Sequence, residues 1–229
     1  VIAVLIPVLD RPERAGPLVE SIHEASTLVT EIVFLCTSGD TEQIAACSRT
    51  DAAYHIVPFL LEGGDYARKI NYGVLCTNAP YVFQGGDDLR FHPGWDEEAL
   101  EIAQRLPGVT GTNDLGNPLV KRGMHSTHSL ISREYIEQHG TIDEPGKALH
   151  EGYWHCWVDN ELIETAKARR AYFSARRSHV EHLHHIWRDD QGMRKGTDDA
   201  TYQRGQRRYR EDHALFKSRQ PLWRRGASH

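Results

Sequence analysis

The sequence has no apolar run long enough to cross a bilayer. Its opening stretch, Val1 to Leu9, is broken by Pro7, whereas a spanning helix needs about 20 apolar residues. Cysteine is scarce: Cys36, Cys47, Cys76 and Cys156 lie far apart, with no C-x-x-C pair. That spacing argues against a zinc ribbon or a disulfide framework and predicts a reduced, cytoplasmic protein. No internal repeat appears, and no Gly-, Ser- or Pro-rich linker separates two independent domains. What is present is an ordinary globular composition, 39% hydrophobic and 26% charged, which excludes collagen-like and disordered chains. A length of 229 residues is enough to bury a sizeable core.

The net charge of -5 conceals an asymmetry. Residues 201–229 hold eight Lys/Arg against Glu211 and Asp212, a net of +6; the remainder carries 19 basic and 30 acidic residues, a net of -11. An acidic body suggests a cation site, and a basic tail either folds back onto that body or meets an anionic partner.

Val1-Ile-Ala-Val-Leu-Ile-Pro and Glu31-Ile-Val-Phe-Leu-Cys read as strands buried on both faces, Ala53 to Phe59 and Tyr81-Val-Phe-Gln as two more. Between them Ala15, Leu18, Val19 and Ile22 recur at helical spacing, Thr41 to Cys47 forms a short helix, and Asp65 caps a helix through Leu75. Asp96 is expected to cap a helix whose inner face is Ala99, Leu100, Ile102, Ala103 and Leu106. This alternation predicts an α/β fold with a mostly parallel central sheet flanked by helices. In such sheets ligands bind beyond the carboxyl ends of the strands, which points to the loops Pro7–Arg11, Thr37–Asp40 and Gly85–Asp88. The second half is less regular. It offers a strand from Gly108 into a loop at Asn117, a strand Ser129-Leu-Ile-Ser, and a helix over Asp159 to Arg170. Ala171 to Ala175 is extended, and Arg177 to Trp187 is a His-rich extended or loop segment. Tyr202, Tyr209 and Phe216 fall seven apart on a tail helix that Pro221 should end.

Asp87 and Asp88 follow Gly85-Gly86 at the mouth of a central strand. Two adjacent carboxylates repel unless a cation neutralises them, and Mg2+ or Mn2+ suits oxygen ligands while keeping bonds to phosphates. A polar turn would also account for the pair. In His179-Val-Glu-His182-Leu-His184-His185, an extended backbone puts His182 and His184 on one face, able to join Asp88 at a metal or to form a zinc site with a carboxylate.

Three stretches follow in order: Ile6-Pro-Val-Leu-Asp-Arg-Pro, Ala67-Arg-Lys-Ile-Asn-Tyr-Gly, and Gly85-Gly-Asp-Asp-Leu-Arg-Phe-His-Pro-Gly-Trp. Together they make residues 1–190 resemble a family 2 glycosyltransferase of the GT-A fold. The resemblance implies a nucleotide-sugar half over 1–107, an acceptor half over 108–198 and a helical tail from 199 to 229. It implies that Asp88, the last aspartate of the metal motif, binds Mn2+ or Mg2+ with a late histidine, His182 or His184. Pro7, Leu9 and Arg11 match the segment around the nucleoside, Lys69 or Arg68 would reach the diphosphate, and Asp87 would contact ribose or sugar. The motif's first position falls on Gly86 and the base-holding acid on Thr37, both departures; Asp40 is the substitute for the latter. Asp159, in Val-Asp-Asn-Glu, matches the general base of an inverting transfer, with Glu161 and Glu151 as rivals and a plain N-cap as the alternative. His125-Ser-Thr-His128 lies where acceptor and sugar loops run, and Trp187 to Thr201 reads as a mobile lid.

The function implied is transfer of a sugar from a nucleoside diphosphate sugar to an acceptor hydroxyl, with no membrane span. The basic tail leaves an anionic acceptor such as DNA open. A nucleotidyltransferase, or a non-catalytic nucleic-acid-binding module using the tail, are the alternatives. The first lacks its usual Gly-rich loop with a Lys after the opening strand.

Overall fold

A computed structural model describes residues 1–58, 64–105 and 107–226. Phe59, Leu106 and the tail's last three residues fall outside them. The strands are β1 (Ile2–Val8), β2 (Val29–Cys36), β3 (Ala53–Ile56), β4 (Tyr81–Gln84), β5 (Leu89–Phe91), β6 (Val109–Asn113), β7 (Ser129–Ser132) and β8 (Tyr172–His182). They form one sheet in the order β3-β2-β1-β4-β7-β6-β8-β5. The first half is parallel throughout, β1 pairing with β2 and β4, and β2 with β3. Beyond β4 the sheet is mixed. β7 runs antiparallel to β4 and β6, β8 is parallel to β6, and β5 is antiparallel to β8.

Side chains alternate along each strand, so the sheet divides the core in two. Ile2, Val4 and Ile6 of β1 face α1 (Ala15–Ala25) and α4 (Trp95–Ala103), where Trp95 packs 4.9 Å from both Phe83 and Phe91. Leu5, Val33 and Leu35 face the other way, toward α3 (Tyr66–Cys76), α6 (Arg133–Gln138) and α7 (Val158–Ala168). The tail helices α8 (Ala200–Gln206) and α9 (Tyr209–Gly226) fold back: Phe216 and Trp223 complete this second layer. No helix among the described residues is long and apolar enough to cross a membrane.

Several local expectations change. α2 (Thr41–Cys47) matches, with the Asp40 carboxylate accepting from Gln43 N. Asp65 and Asp96, however, do not cap through their side chains. Asp65 pairs with Lys69 at 2.7 Å. Asp96, inside α4, accepts from Thr27 N and Leu28 N at 2.8 and 2.6 Å, and the α4 N-cap is Gly94 at φ 79°. Pro221 does not end α9, which continues to Gly226. The missing N–H removes one hydrogen bond, but Trp223, buried against Phe216 at 5.3 Å, fastens the final turns. Residues 172–182 form one eleven-residue strand where two shorter extended pieces were expected.

Candidate active site

Gly85 N donates to Leu5 O at 2.9 Å, carrying the β1–β4 pairing one step past the end of β4 before the chain turns through Gly86, Asp87 and Asp88 into β5. A side chain on Gly86 would sit 3.0 Å from Asp88 Oδ1 and 3.4 Å from His128 Nε2, so glycine here leaves room for both. The end of β8 is stitched to the same place: Leu183 N donates to Asp88 O at 2.8 Å and His182 N to Asp114 O at 3.1 Å.

Asp88 is 8% exposed. Its Oδ2 accepts from Tyr202 Oη at 2.6 Å and lies 3.1 Å from His182 Nε2. Burial favours the neutral acid, but the His182 charge and hydrogen bond outweigh it, along with His128 and the Tyr202 hydroxyl, and hold Asp88 well below the usual carboxylate range. Burial likewise lowers His182, and the Asp88 carboxylate more than reverses this. His128 comes from the loop before β7. Burial and the neighbouring His182 push it down to about 3, so its ring is neutral at pH 7 with the lone pair of one nitrogen available. Ligand atoms of Asp88, His128 and His182 all lie within 4.8 Å of one another.

These side chains line a cleft of about 520 Å³ that also takes in Pro7, Leu9, Tyr66 and Asp159. α7 begins after Trp157, whose φ of 70° is left-handed, and Asp159 sits in its first turn. Asp159 Oδ1 accepts from Asn160 N at 2.9 Å, and Oδ2 lies 3.2 Å from His125 Nε2. Burial would raise Asp159, but the His125 hydrogen bond and charge keep it below its ordinary value; the reciprocal effect raises His125 against its own burial. Tyr66, Asp88, His128 and Asp159 all line this cleft, so the two carboxylates share one space.

The other expected residues divide. Asp87 bonds Arg11 Nη1 at 2.7 Å, and the remaining Arg11 nitrogens hold Asp199, the α8 N-cap, at 2.8 and 2.9 Å. The guanidinium is 5% exposed and stacks 4.2 Å from the Tyr202 ring. Arg11 thus joins the motif loop to the tail, with three of its five guanidinium N–H groups engaged. Lys69 is 1% exposed, and its ammonium reaches Val8 O, Thr37 Oγ1 and Asp65 Oδ2, each at 2.7 Å. With three N–H groups and three acceptors, it braces the strand ends and has no donor left for a diphosphate. Arg68 is exposed. Asp40 is taken up by capping α2 and by Asp10 N at 2.8 Å, and lies outside the cleft lining. His184 lines the cleft but is not in the ligand cluster. β8 ends at His182, so strand alternation no longer orients residue 184, whose Nδ1 accepts from Ile186 N at 3.2 Å. Glu161 is buried between Tyr153 and Arg219, and Glu151 pairs with Lys147, so neither rival of Asp159 faces the cleft.

Sequence reasoning missed Tyr202, Asp199 and the ligand position of His128. Each reaches Asp88 or Arg11 from 40 or more residues away in the chain, and no local spacing signals such a meeting.

No protein-family model and no curated protein matches the sequence. Solved structures do match in shape. A mannosyltransferase from Pyrobaculum calidifontis, in complex with GDP-Man and Mn2+, matches with a TM-score of 0.61 at 12% identity, over 98% of this chain and 73% of that one. A glucosyl-3-phosphoglycerate synthase from Mycobacterium tuberculosis, with Mn2+, UDP and phosphoglyceric acid, matches with a TM-score of 0.55 at 14% identity, over 80% of this chain and 70% of that one. The chain has the GT-A glycosyltransferase fold.

Proposed function

We propose that this chain is a metal-dependent glycosyltransferase that moves a sugar from a nucleoside diphosphate sugar to an acceptor hydroxyl with inversion. One observation carries the reading: a buried carboxylate–imidazole cluster at the strand ends shares a single cleft with a separate carboxylate, Asp159. The similar folds solved with Mn2+ and UDP or GDP-Man support the donor class.

Asp88 and His182 would hold Mn2+ or Mg2+. His182 would bind as neutral imidazole and Asp88 as carboxylate, and bound there the ion would act as a Lewis acid toward phosphate oxygen. The fit is chemical: a carboxylate oxygen of Asp88 and imidazole nitrogens of His128 and His182 lie within 4.8 Å of one another, all three residues buried. The ion would offset the negative charge that builds on the departing diphosphate. Pro7 and Leu9 supply an apolar floor for the donor. Asp159, oriented by His125, accepts the proton of the attacking hydroxyl at its carboxylate, and its depressed pKa keeps it ionised at neutral pH.

The units 1–107, 108–198 and 199–229 would then serve as donor half, acceptor half and closing tail. In the tail Arg204 pairs with Asp10, and Arg219 with Asp143 and Glu161, all residues of the body. That pairing favours fold-back over capture of nucleic acid. The four free thiols are in keeping with a reducing compartment such as the cytoplasm.

The test is a thermal-shift panel of UDP, GDP and their sugars with and without Mn2+. Stabilisation that needs both nucleotide and ion, and that disappears in Asp88→Ala, is expected. Nucleotide-sugar turnover that survives unchanged in Asp88→Ala would overturn the reading.

A further inference from the structure

We infer that His128 is a metal ligand, giving a centre of two imidazoles and one carboxylate that selects Mn2+ and other transition ions over Mg2+. This rests on the metal-binding reading above and adds to it a ligand and an ion preference.

The geometry converges from two sides of the ring. His128 is 6% exposed, and Nε2 is the ring nitrogen that faces the Gly86–Asp88 turn. Its ring packs edge-on against His182 at 4.9 Å between centroids, and its ligand atom lies within 4.8 Å of those of Asp88 and His182. Finally, the imidazole stands where a residue-86 side chain would project, since a Cβ on Gly86 would lie 3.4 Å from His128 Nε2. The absent side chain at 86 and the present ring at 128 are complementary: one makes the room that the other fills.

The chemical consequence follows from the donor types. Mg2+ demands oxygen ligands in near-ideal octahedral geometry and dehydrates reluctantly. Imidazole nitrogen suits later transition ions, and Mn2+ accepts both donor types. Replacing a carboxylate by a neutral imidazole also leaves the site one negative charge poorer, which weakens a hard, strongly hydrated ion more than a softer one. Asp87 does not restore that charge to the cluster, because Arg11 holds its Oδ1 at 2.7 Å.

The experiment is metal binding to the whole apo protein with no sugar nucleotide. Mn2+ is followed by loss of its free-ion electron-spin signal, Mg2+ by competition against Mn2+, and coordinated imidazole by nitrogen couplings to the bound Mn2+. The wild type should bind Mn2+ at least about 100-fold more tightly than Mg2+ and show two coupled imidazoles. His128→Ala should show one and lose on the order of 100-fold in Mn2+ affinity, the upper end of what even an outer partner of a ligand contributes. The double variant Gly86→Asp/His128→Ala places a carboxylate in the vacated space. It should regain Mg2+ binding and bring the two affinities together, which also guards against misfolding of the single variant. Mn2+ binding with one coupled imidazole in the wild type, or an unchanged ion ratio in His128→Ala, would overturn the assignment while leaving the metal site standing. No binding of either ion by folded wild type would instead overturn the metal-dependent reading itself.

Discussion

Replacing Tyr202 by Phe isolates one hydroxyl. The Tyr202 ring, 6% exposed, keeps its place under Arg11 at 4.2 Å, so packing and the cation–π contact persist in the variant. What is lost is the 2.6 Å bond to Asp88 Oδ2, a distance typical of a hydroxyl donating to an ionised carboxylate. Hydrogen bonds to charged groups contribute about 1.5–3 kcal/mol. For a chain of this size each kcal/mol shifts Tm by roughly 2–4 °C, so the metal-free variant should melt about 3–12 °C lower. If an ion takes the lone pair of Oδ2 that the hydroxyl occupies, it displaces the hydroxyl in the wild type but not in Tyr202→Phe. Saturating Mn2+ should therefore narrow the Tm gap, and the variant should bind Mn2+ about 10-fold or more tighter, each tenfold corresponding to about 1.4 kcal/mol. Paired melts with and without Mn2+, plus a Mn2+ titration of each protein, give both numbers. An identical gap in both conditions, or weaker Mn2+ binding by the variant, would refute the idea that hydroxyl and ion compete.

Asp159→Asn should retain nucleotide and Mn2+ binding while transfer falls by about 10²–10⁴-fold, the usual contribution of a general base; single-turnover kinetics with bound donor measure it. Lost binding with unchanged turnover would point away from a base. His125 contributes through its raised pKa, so its stabilisation is complete below the ordinary histidine value near 6.5 and is lost as pH rises through the higher folded value. The difference in Tm between wild type and His125→Gln should accordingly shrink from pH 6 toward pH 9; a difference that grows would contradict the pairing with Asp159. Asp212, 3% exposed, accepts from the backbone N–H groups of Trp154, His155 and Cys156 at 2.7–2.9 Å. Asp212→Ala leaves three donors unmet and should destabilise the protein by about 3 kcal/mol or more in urea unfolding.

The first half of the fold was legible because β1, β2 and β4 carry continuous, largely buried apolar runs, as at Ile2–Val8, and its helices repeat apolar residues at a strict spacing. β8 was harder: Arg176, Arg177 and Glu181 interrupt its pattern, and it owes its length to pairing with β6 on one side and β5 on the other. Carboxylates misled at the helix starts. Asp65 and Asp96 look like caps in sequence, yet Asp65 pairs with Lys69 one helical turn on and accepts from Thr37, and Asp96 accepts from the Thr27 and Leu28 amides, which only the tertiary fold brings there. The same limit applies at the site. Asp88 and His182 were readable as chemistry-bearing residues from their positions at strand ends. His128 and Tyr202 were not, because their relation to Asp88 depends on how the β7 loop and the tail cross the cleft. Lys69 shows the converse: a cation well placed in the sequence, whose every donor the fold consumes.

The long strand β8 has a consequence for which changes in chain length the protein can absorb. Its ladder sets Val180 opposite Phe91, Glu181 opposite Arg90 and His182 opposite Leu89, the residue after Asp88. A pleated ribbon turns each successive side chain to the other face, so dropping or adding a single residue between 172 and 181 would swing the imidazole outward and bring its neighbour to the aspartate. The distance between the two is thereby indexed by counting along a ruler rather than tuned by a hinge.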